Sequence, residues 1–230
     1  MTPARAAIDR FRKSKAYDLL MAAPLIVWFG GAAIQLRPSL VALGAALMSG
    51  AITWHGALLF FALFASATFN LLLVWLLVAR SVPVRRARGL LARACGFVGT
   101  FLGVAILYLP PVTPPLPLLL LSDVLLIAGF AASVVIASRL GRAFSIMPEA
   151  RVLVTAGAYA RVRHPLYAAE VIGLAGNAIL FRQPWAILIL LAVIALQVAR
   201  AHFEEQVLSQ AFPDYAAYRA RTKRFIPGVY

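Results

Sequence analysis

Long apolar segments constrain the fold of this chain more than any other feature of its sequence. Four of them run from about Leu19 to Ile34, Gly56 to Ala79, Ala94 to Leu109 and Leu116 to Ala137. A helix needs roughly 20 apolar residues to cross about 30 Å of hydrocarbon, and hydrophobic residues make up 63% of the chain. The sequence therefore predicts an integral membrane protein that folds as an all-α, polytopic helix bundle.

A second pair of apolar segments predicts a helical hairpin near the C-terminus. They run from about Leu166 to Phe181 and from Trp185 to Ala199, and the residues from Arg182 to Pro184 join them. Because so short a connection makes two helices antiparallel, both ends of the hairpin lie on one side of the membrane. We expect about five crossing elements when the hairpin is counted once.

The segment from Ser39 to Trp54 is apolar but short, and Gly44 and Gly50 interrupt it. Counting it as a full span would place the basic residues that follow Ala79 outside the cell, against the tendency of positive residues to stay inside. The sequence therefore favours a re-entrant or interfacial segment here. The proline-rich connection from Pro110 to Pro117 then lies on the outer side.

Basic residues give the chain a formal net charge of +14, and most of them lie in short clusters beside apolar segments. In that position they orient a membrane protein and attract anionic headgroups, so we expect membrane lipids as partners and no nucleic acid. The N-terminal cluster is long for a signal peptide and further spans follow, which favours an uncleaved first helix. We expect a bacterial inner-membrane protein whose site faces the cytoplasm. The N-terminal cluster consists of Arg5, Arg10, Arg12, Lys13 and Lys15.

No polar segment is long enough to fold separately, so we expect one integrated membrane domain. Residues 1–137 supply the N-terminal transmembrane helices, and residues 138–230 supply the hairpin and a cytosolic, amphipathic C-terminal segment. The single Cys95 excludes an intramolecular disulfide, and the spacing of His, Cys and acidic residues indicates no metal site. There is also no Gly-rich phosphate loop, His-Glu-x-x-His pair or Gly-x-Ser-x-Gly turn.

His164 is the first candidate for a functional residue. It precedes Pro165, and this pair is typical of the first turn of a helix. The unpaired amides and the positive dipole end of such a helix favour an anion, and Arg163 adds a full positive charge. The sequence therefore predicts a seat for a carboxylate or a phosphate, with a capping histidine as the simpler alternative.

Two neighbouring acids, Glu204 and Glu205, lie beyond the end of the second hairpin helix. The antiparallel return brings them to the same face as His164. Arg200 is four residues before Glu204 and could pair with it on the helix surface, whereas Glu205 has no such simple partner. Both ends of one hairpin are therefore expected to line one pocket.

Other residues near His164 have both a functional and a simpler interpretation. Gly157 lies in an expected turn that lets the backbone approach a ligand. Tyr159 and Tyr167 could offer ring faces to a cation, although interfacial tyrosines are common in membrane proteins. Glu170 lies in the first turns of an apolar helix, where it binds a cationic group or pairs with an arginine.

The region from about Leu153 to Tyr230 resembles the superfamily of isoprenylcysteine carboxyl methyltransferases and phospholipid methyltransferases. The residues that carry the resemblance form an ordered string through the hairpin and the C-terminal segment. They are Leu153, Val154, Gly157, Tyr159, Val162 through Tyr167, Glu204, Glu205, Leu208, Phe212, Tyr215, Tyr218, Arg224, Phe225 and Pro227. Ala158, Ala168 and Ala169 depart from the pattern of the family.

The resemblance implies a methyltransferase that uses S-adenosylmethionine, with S-adenosylhomocysteine as product, and that methylates a lipid-like or prenylated acceptor such as a prenylcysteine carboxylate. It implies a cofactor pocket facing the cytosol. If the acceptor is a carboxylate, Arg163, Arg200 or Arg224 could orient it in the catalytic step. The cofactor-binding residues expected from the match are Gly157, Tyr159, Val162, His164, Pro165, Tyr167, Glu204 and Glu205.

Two alternatives stay open at this stage. Membrane sterol reductases that use NADPH share a similar His-Pro-x-Tyr and acidic pattern, but they favour asparagine where this chain has Leu166 and an Asp-Glu pair where it has Glu204 and Glu205. A non-enzymatic, lipid-binding membrane protein could retain the same fold.

Overall fold

The computed structural model describes residues 10–110, 112 and 114–229. Arg5 of the basic N-terminal cluster, Pro111 of the proline-rich connection and Tyr230 at the end of the resemblance lie outside the described residues.

Helices form 76% of the structure and strands very little of it, which confirms the predicted all-α bundle. Short 3-10 turns at Leu102–Tyr108, Gly141–Ala143 and Gly157–Ala160 extend or connect them. Two short strands, β1 (Arg85–Arg86) and β2 (Glu149–Ala150), pair antiparallel. From Lys15 onward the helices are α1 (Lys15–Gln35), α2 (Arg37–Met48), α3 (Trp54–Ala79), α4 (Leu90–Phe101), α5 (Leu116–Leu140), α6 (Pro165–Phe181), α7 (Pro184–Ala211) and α8 (Tyr215–Arg221).

Five helical segments of the described chain are long and apolar enough to cross a membrane, judged by length and composition. The predicted number is therefore confirmed, although α6 is a shorter apolar helix that counts only as part of the hairpin. The predicted hairpin turn is also present, because α6 ends at Phe181 and Arg182 adopts a left-handed conformation with a φ of 46°. The five segments are Lys15–Met48, Trp54–Ala79, Leu90–Tyr108, Leu116–Ala143 and Pro184–Ala211.

The segment around α2 differs from the prediction. α1 and α2 run along α3 in one direction: Asp18 pairs with Arg80, Gly30 lies beside Val74 and Gly44 lies beside the Phe60 ring. The chain therefore turns back only between α2 and α3, so the prediction of a re-entrant segment is wrong. A break at Leu36, followed by a proline in the first turn of α2, separates the two helices. The sequence pattern predicted a span for the first and a re-entrant or interfacial segment for the second.

Ion pairs and hydrogen bonds mark the two ends of the bundle. At one end the start of α1 meets the end of α3 through Asp18 and Arg80, as expected from the placement of the basic clusters. At the other end His55 Nδ1 lies 2.7 Å from Asp123 Oδ2, near the starts of α3 and α5. His55 therefore lies far from the His164 end of the bundle.

α5 and α6 approach each other backbone to backbone. A methyl group added to Gly129 would lie 2.3 Å from the Gly173 nitrogen and 2.5 Å from its Cα atom. One turn further along α6, Ser122 Oγ donates a hydrogen bond of 2.8 Å to the Gly176 carbonyl. Small residues permit this close packing between membrane helices, and the packing fixes the position of α6, which begins at the candidate site.

Candidate functional site

The candidate site lies at the start of α6, where the C-terminal segment of the chain covers His164. The amides of Arg163 and His164 donate to the carbonyls of Lys223 and Arg224, at 2.8 Å and 3.0 Å. Val162 pairs with Lys223 in the same short ladder. These two amides hold the C-terminal segment and do not face a ligand, so the anion seat predicted at this helix end has fewer donors than expected.

Glu205 is the centre of a buried network. Its side chain is 4% exposed, and its carboxylate accepts hydrogen bonds from Arg163 Nε at 2.9 Å and from Arg224 Nη2 at 2.9 Å. His164 Nε2 lies 3.1 Å from Glu205 Oε1. None of these three partners lies one turn away on α7, which agrees with the expectation that Glu205 has no such simple partner. Its partners come from other segments of the chain, where no helix-spacing rule can find them.

Glu204 has a different set of neighbours. Tyr167 donates its hydroxyl proton to Glu204 Oε1 at 2.6 Å, and His164 Nδ1 lies 3.7 Å from the other carboxylate oxygen. The pair with Arg200, four residues earlier, is present but long, at 3.8 Å. The Arg200 guanidinium lies over the Tyr167 ring, 4.5 Å from its centroid. The Tyr167 ring, which could offer a face to a cation, thus contacts the guanidinium of Arg200.

The turn before α6 forms as predicted. Gly157 has a φ of 65°, which is a conformation that glycine adopts without strain, and it begins the 3-10 turn Gly157–Ala160. The hydroxyl of Tyr218 donates to the Tyr159 carbonyl at 2.8 Å. Burial raises the pKa of Tyr218 to about 12, so this hydroxyl keeps its proton at neutral pH. α8 therefore fastens the turn.

These residues enclose a small cavity of about 90 Å³. Six of the predicted site residues line it: Tyr159, Arg163, His164, Tyr167, Arg200 and Glu204. In the described part of the chain, the other five lie outside the lining: Gly157, Val162, Pro165, Glu205 and Arg224. They shape or support the site through the turn, the ladder and the Glu205 network.

Among the lining residues that the prediction did not include are Ser145 and Glu149, which come from the connection between α5 and α6. Glu149 is held by Arg151 Nη2 at 2.6 Å, and the same nitrogen lies 2.8 Å from Asp18. Arg80 binds Asp18 as well, at 2.9 Å. This buried network ties α1 and α3 to the wall of the pocket. Asp18 lies in the first turn of α1, where the helix dipole alone explains an acid. The sequence therefore carries no signal for this network.

A second, larger cavity of about 730 Å³ lies between the helices of the membrane region. Apolar residues of the N-terminal half, including Trp28, Phe69 and Phe101, form much of its wall. Arg200 and Leu166 line both cavities and therefore stand between them. Among the described residues, no group of three His, Cys, Asp or Glu side chains is placed to hold a metal ion.

Comparison with known proteins shows which family a part of this chain matches. The phospholipid methyltransferase family matches residues 117–215, which include α5, the connection, the hairpin and Tyr215. Residues 117–215 are therefore similar to members of the superfamily of isoprenylcysteine carboxyl and phospholipid methyltransferases. The superfamily consists of membrane methyltransferases, and the site residues up to Glu205 lie within the matched range.

Two curated relatives each match about a third of this chain. The cobalt-zinc-cadmium resistance protein CzcN of Cupriavidus metallidurans is 36% identical over 80 residues, which cover 33% of this chain and 35% of that protein. The nickel-cobalt-cadmium resistance protein NccN of Alcaligenes xylosoxydans xylosoxydans is 36% identical over 76 residues, 33% of this chain and 36% of the relative. The matched segment thus spans about a third of each relative.

Proposed function

We propose that this protein transfers a methyl group from S-adenosylmethionine to a lipid-like or prenylated amphiphile. The observation that carries the proposal is the adjacency of a small cavity lined by several charged side chains and a larger cavity among the membrane helices, which meet at Arg200 and Leu166. Methyl transfer from a polar donor to a lipid-like acceptor requires such an arrangement, because the reacting groups have to meet in line and away from water.

The residues of the smaller cavity suit the proposed cofactor. Two buried polar atoms in its lining, Arg200 Nε and Tyr215 Oη, have no hydrogen-bond partner within the described chain. Arg200 would bind the carboxylate of an amino acid moiety, while Glu204 and the ring of Tyr159 suit its ammonium and sulfonium groups. Once bound, the cofactor supplies a methyl group activated by a positively charged sulfur.

The cofactor pocket has to widen when it is filled. Its volume of about 90 Å³ is well below the roughly 300–1,000 Å³ of typical small-molecule sites. The wall made by Ser145 and Glu149 belongs to the connection between α5 and α6, so widening requires this connection to move together with the ion pairs that tie Glu149 to Arg151 and Asp18. Protection of this connection from hydrogen exchange is expected to rise when the cofactor binds.

The three candidate arginines divide into two groups. Arg163 and Arg224 both bind Glu205, and the Arg163 guanidinium also donates to the Thr222 carbonyl. Arg200 lines both cavities. We therefore assign to Arg200 the role of positioning the reacting groups, and to Arg163 and Arg224 the role of fixing the C-terminal segment over the pocket.

The proposed function is tested by incubating membranes that contain the protein with isotopically labelled S-adenosylmethionine and analysing the labelled lipid and peptide fractions. Glu204→Gln is expected to lower the label incorporated. Asp214→Asn, the same change of charge on an exposed residue outside the pocket, is the matched control and is expected to keep it. Equal labelling by both variants and by membranes without the protein would contradict the proposal and favour a non-enzymatic lipid-binding protein.

A further inference from the structure

The larger cavity contains polar groups at the end that adjoins the cofactor pocket. Gln197 Nε2 donates a hydrogen bond of 2.7 Å to Glu170 Oε2, and both side chains line the cavity beside Arg200. Acidic and amide side chains are costly within a membrane helix bundle and usually mark a functional site. We call Ser133, Glu170, Gln197 and Arg200 the polar floor of the cavity.

Three buried atoms of the polar floor have no hydrogen-bond partner among the residues that the structure describes. They are Ser133 Oγ, Gln197 Oε1 and Arg200 Nε. The residues that carry them are at most 4% exposed. A buried polar group without a partner costs free energy, so the two atoms that the proposed cofactor does not use, Ser133 Oγ and Gln197 Oε1, indicate that a polar group binds against this wall.

The charges around the polar floor indicate which polar group this is. Arg200 is the cation of the polar floor, and its Nε atom already lies 3.8 Å from Glu204 Oε1. Glu170 adds a second acid on the cavity side. An acceptor that ends in a carboxylate or a phosphate would be repelled by Glu170 and Glu204. It would be attracted only by Arg200, which already pairs with Glu204. A hydroxyl would instead donate a hydrogen bond to Gln197 Oε1 or to the Glu170 carboxylate, and an amine could donate to both.

We propose that Glu170 and Gln197 are specificity-determining residues, and that they select an amphiphile whose polar end is a hydrogen-bond donor over one that ends in a carboxylate. This inference rests on the proposed function, because that function is the reason for an acceptor to enter the cavity. It narrows the acceptor class and makes a prenylcysteine carboxylate the less favoured substrate.

The inference can be tested by binding, without turnover. The protein is placed in lipid nanodiscs with Trp28, which lines the cavity, as its only tryptophan. The other three tryptophans, Trp54, Trp75 and Trp185, are exposed and are replaced by phenylalanine. Quenching of Trp28 is then measured with amphiphiles that share one brominated chain and end in a hydroxyl, an amine or a carboxylate. A variant that keeps only Trp75 reports quenching from the bilayer itself.

The wild-type cavity is expected to bind the alcohol at least about tenfold more tightly than the carboxylate, as expected for like charges brought close together in a partly desolvated site. Glu170→Gln removes one acid and is expected to bring the two affinities within about threefold of each other. Glu170→Asp keeps the acid and is expected to keep the preference. Asn177→Ala, a change of another polar residue in the same cavity wall, is the matched control and is expected to leave the preference unchanged.

Equal binding of alcohol and carboxylate to the wild-type protein would overturn the inference, and so would a preference that Glu170→Gln leaves unchanged. Binding of labelled S-adenosylmethionine in the same nanodiscs separates the two proposals. Cofactor binding without headgroup selection contradicts the role of Glu170 and Gln197 alone. Headgroup selection without cofactor binding contradicts the methyltransferase proposal alone.

Discussion

Gly129→Ala is expected to destabilise the protein because α5 and α6 touch through the backbone at this point. The added methyl group would lie 2.3 Å from the Gly173 nitrogen and 3.0 Å from the Ala169 carbonyl oxygen. Ordinary van der Waals contact begins at 3.4 Å, so the helices have to separate by about 1 Å. Neither obstacle is a flexible side chain, and therefore rotation cannot relieve the clash.

Gly173→Ala is the matched control on the opposite side of the same contact. A methyl group at this position would lie 3.8 Å from its nearest neighbour, the Gly129 Cα atom, which is ordinary contact. Both substitutions replace a helical glycine and gain the same helix propensity, about 1 kcal/mol. The difference between the two variants therefore isolates the steric cost at Gly129.

The expected steric cost is about 1–3 kcal/mol, the usual range for overpacking a well-packed interior. A chain of this size shifts its melting temperature by roughly 2–4 °C for each kcal/mol. The assay is thermal unfolding of the purified variants in one detergent, followed by intrinsic fluorescence. Gly173→Ala is expected to melt at or above the wild-type temperature and Gly129→Ala several degrees lower, by roughly 2–12 °C. Equal melting temperatures for the two variants would refute the described contact.

Three further predictions concern the polar networks. Glu205→Gln leaves the largely buried guanidinium groups of Arg163 and Arg224 without their counter-charge. It is expected to lower the free energy of unfolding by about 3–5 kcal/mol in denaturant titrations. A loss no larger than that of Glu204→Gln, whose side chain is 19% exposed, would contradict this prediction. Asp18→Asn is expected to lower stability by a similar amount, and Asp214→Asn, on an exposed residue, should show almost no change. Tyr167→Phe removes one hydrogen bond to a charged group and is expected to weaken S-adenosylmethionine binding by roughly 1.5–3 kcal/mol in equilibrium dialysis, whereas unaltered affinity would place the cofactor elsewhere.

The helices could be predicted from the sequence because their signals are local. Apolar runs of sufficient length, the proline that begins α6 and the turn at Arg182 each depend on neighbouring residues alone. The convergence of His164 and Glu204 also followed from local features, since a short hairpin turn brings both ends of the hairpin together.

The contacts that could not be predicted join segments far apart in the chain. Glu205 binds an arginine from the turn before α6 and another from the C-terminal segment. Asp18 of α1 binds Arg151, which lies more than a hundred residues later. Neither partnership leaves a periodic signal, and Asp18 has a satisfactory local explanation in the first turn of α1. The division of the chain at residue 138 stays a prediction.

The central claim is that the pocket lined by Tyr167, His164 and Glu204 binds S-adenosylmethionine. The most direct test is equilibrium binding of labelled S-adenosylmethionine and of NADPH to the purified protein in nanodiscs, for the wild type and for Glu204→Gln. The account predicts saturable binding of S-adenosylmethionine that Glu204→Gln weakens, and no saturable binding of NADPH. Saturable NADPH binding without S-adenosylmethionine binding would contradict it and favour a reductase.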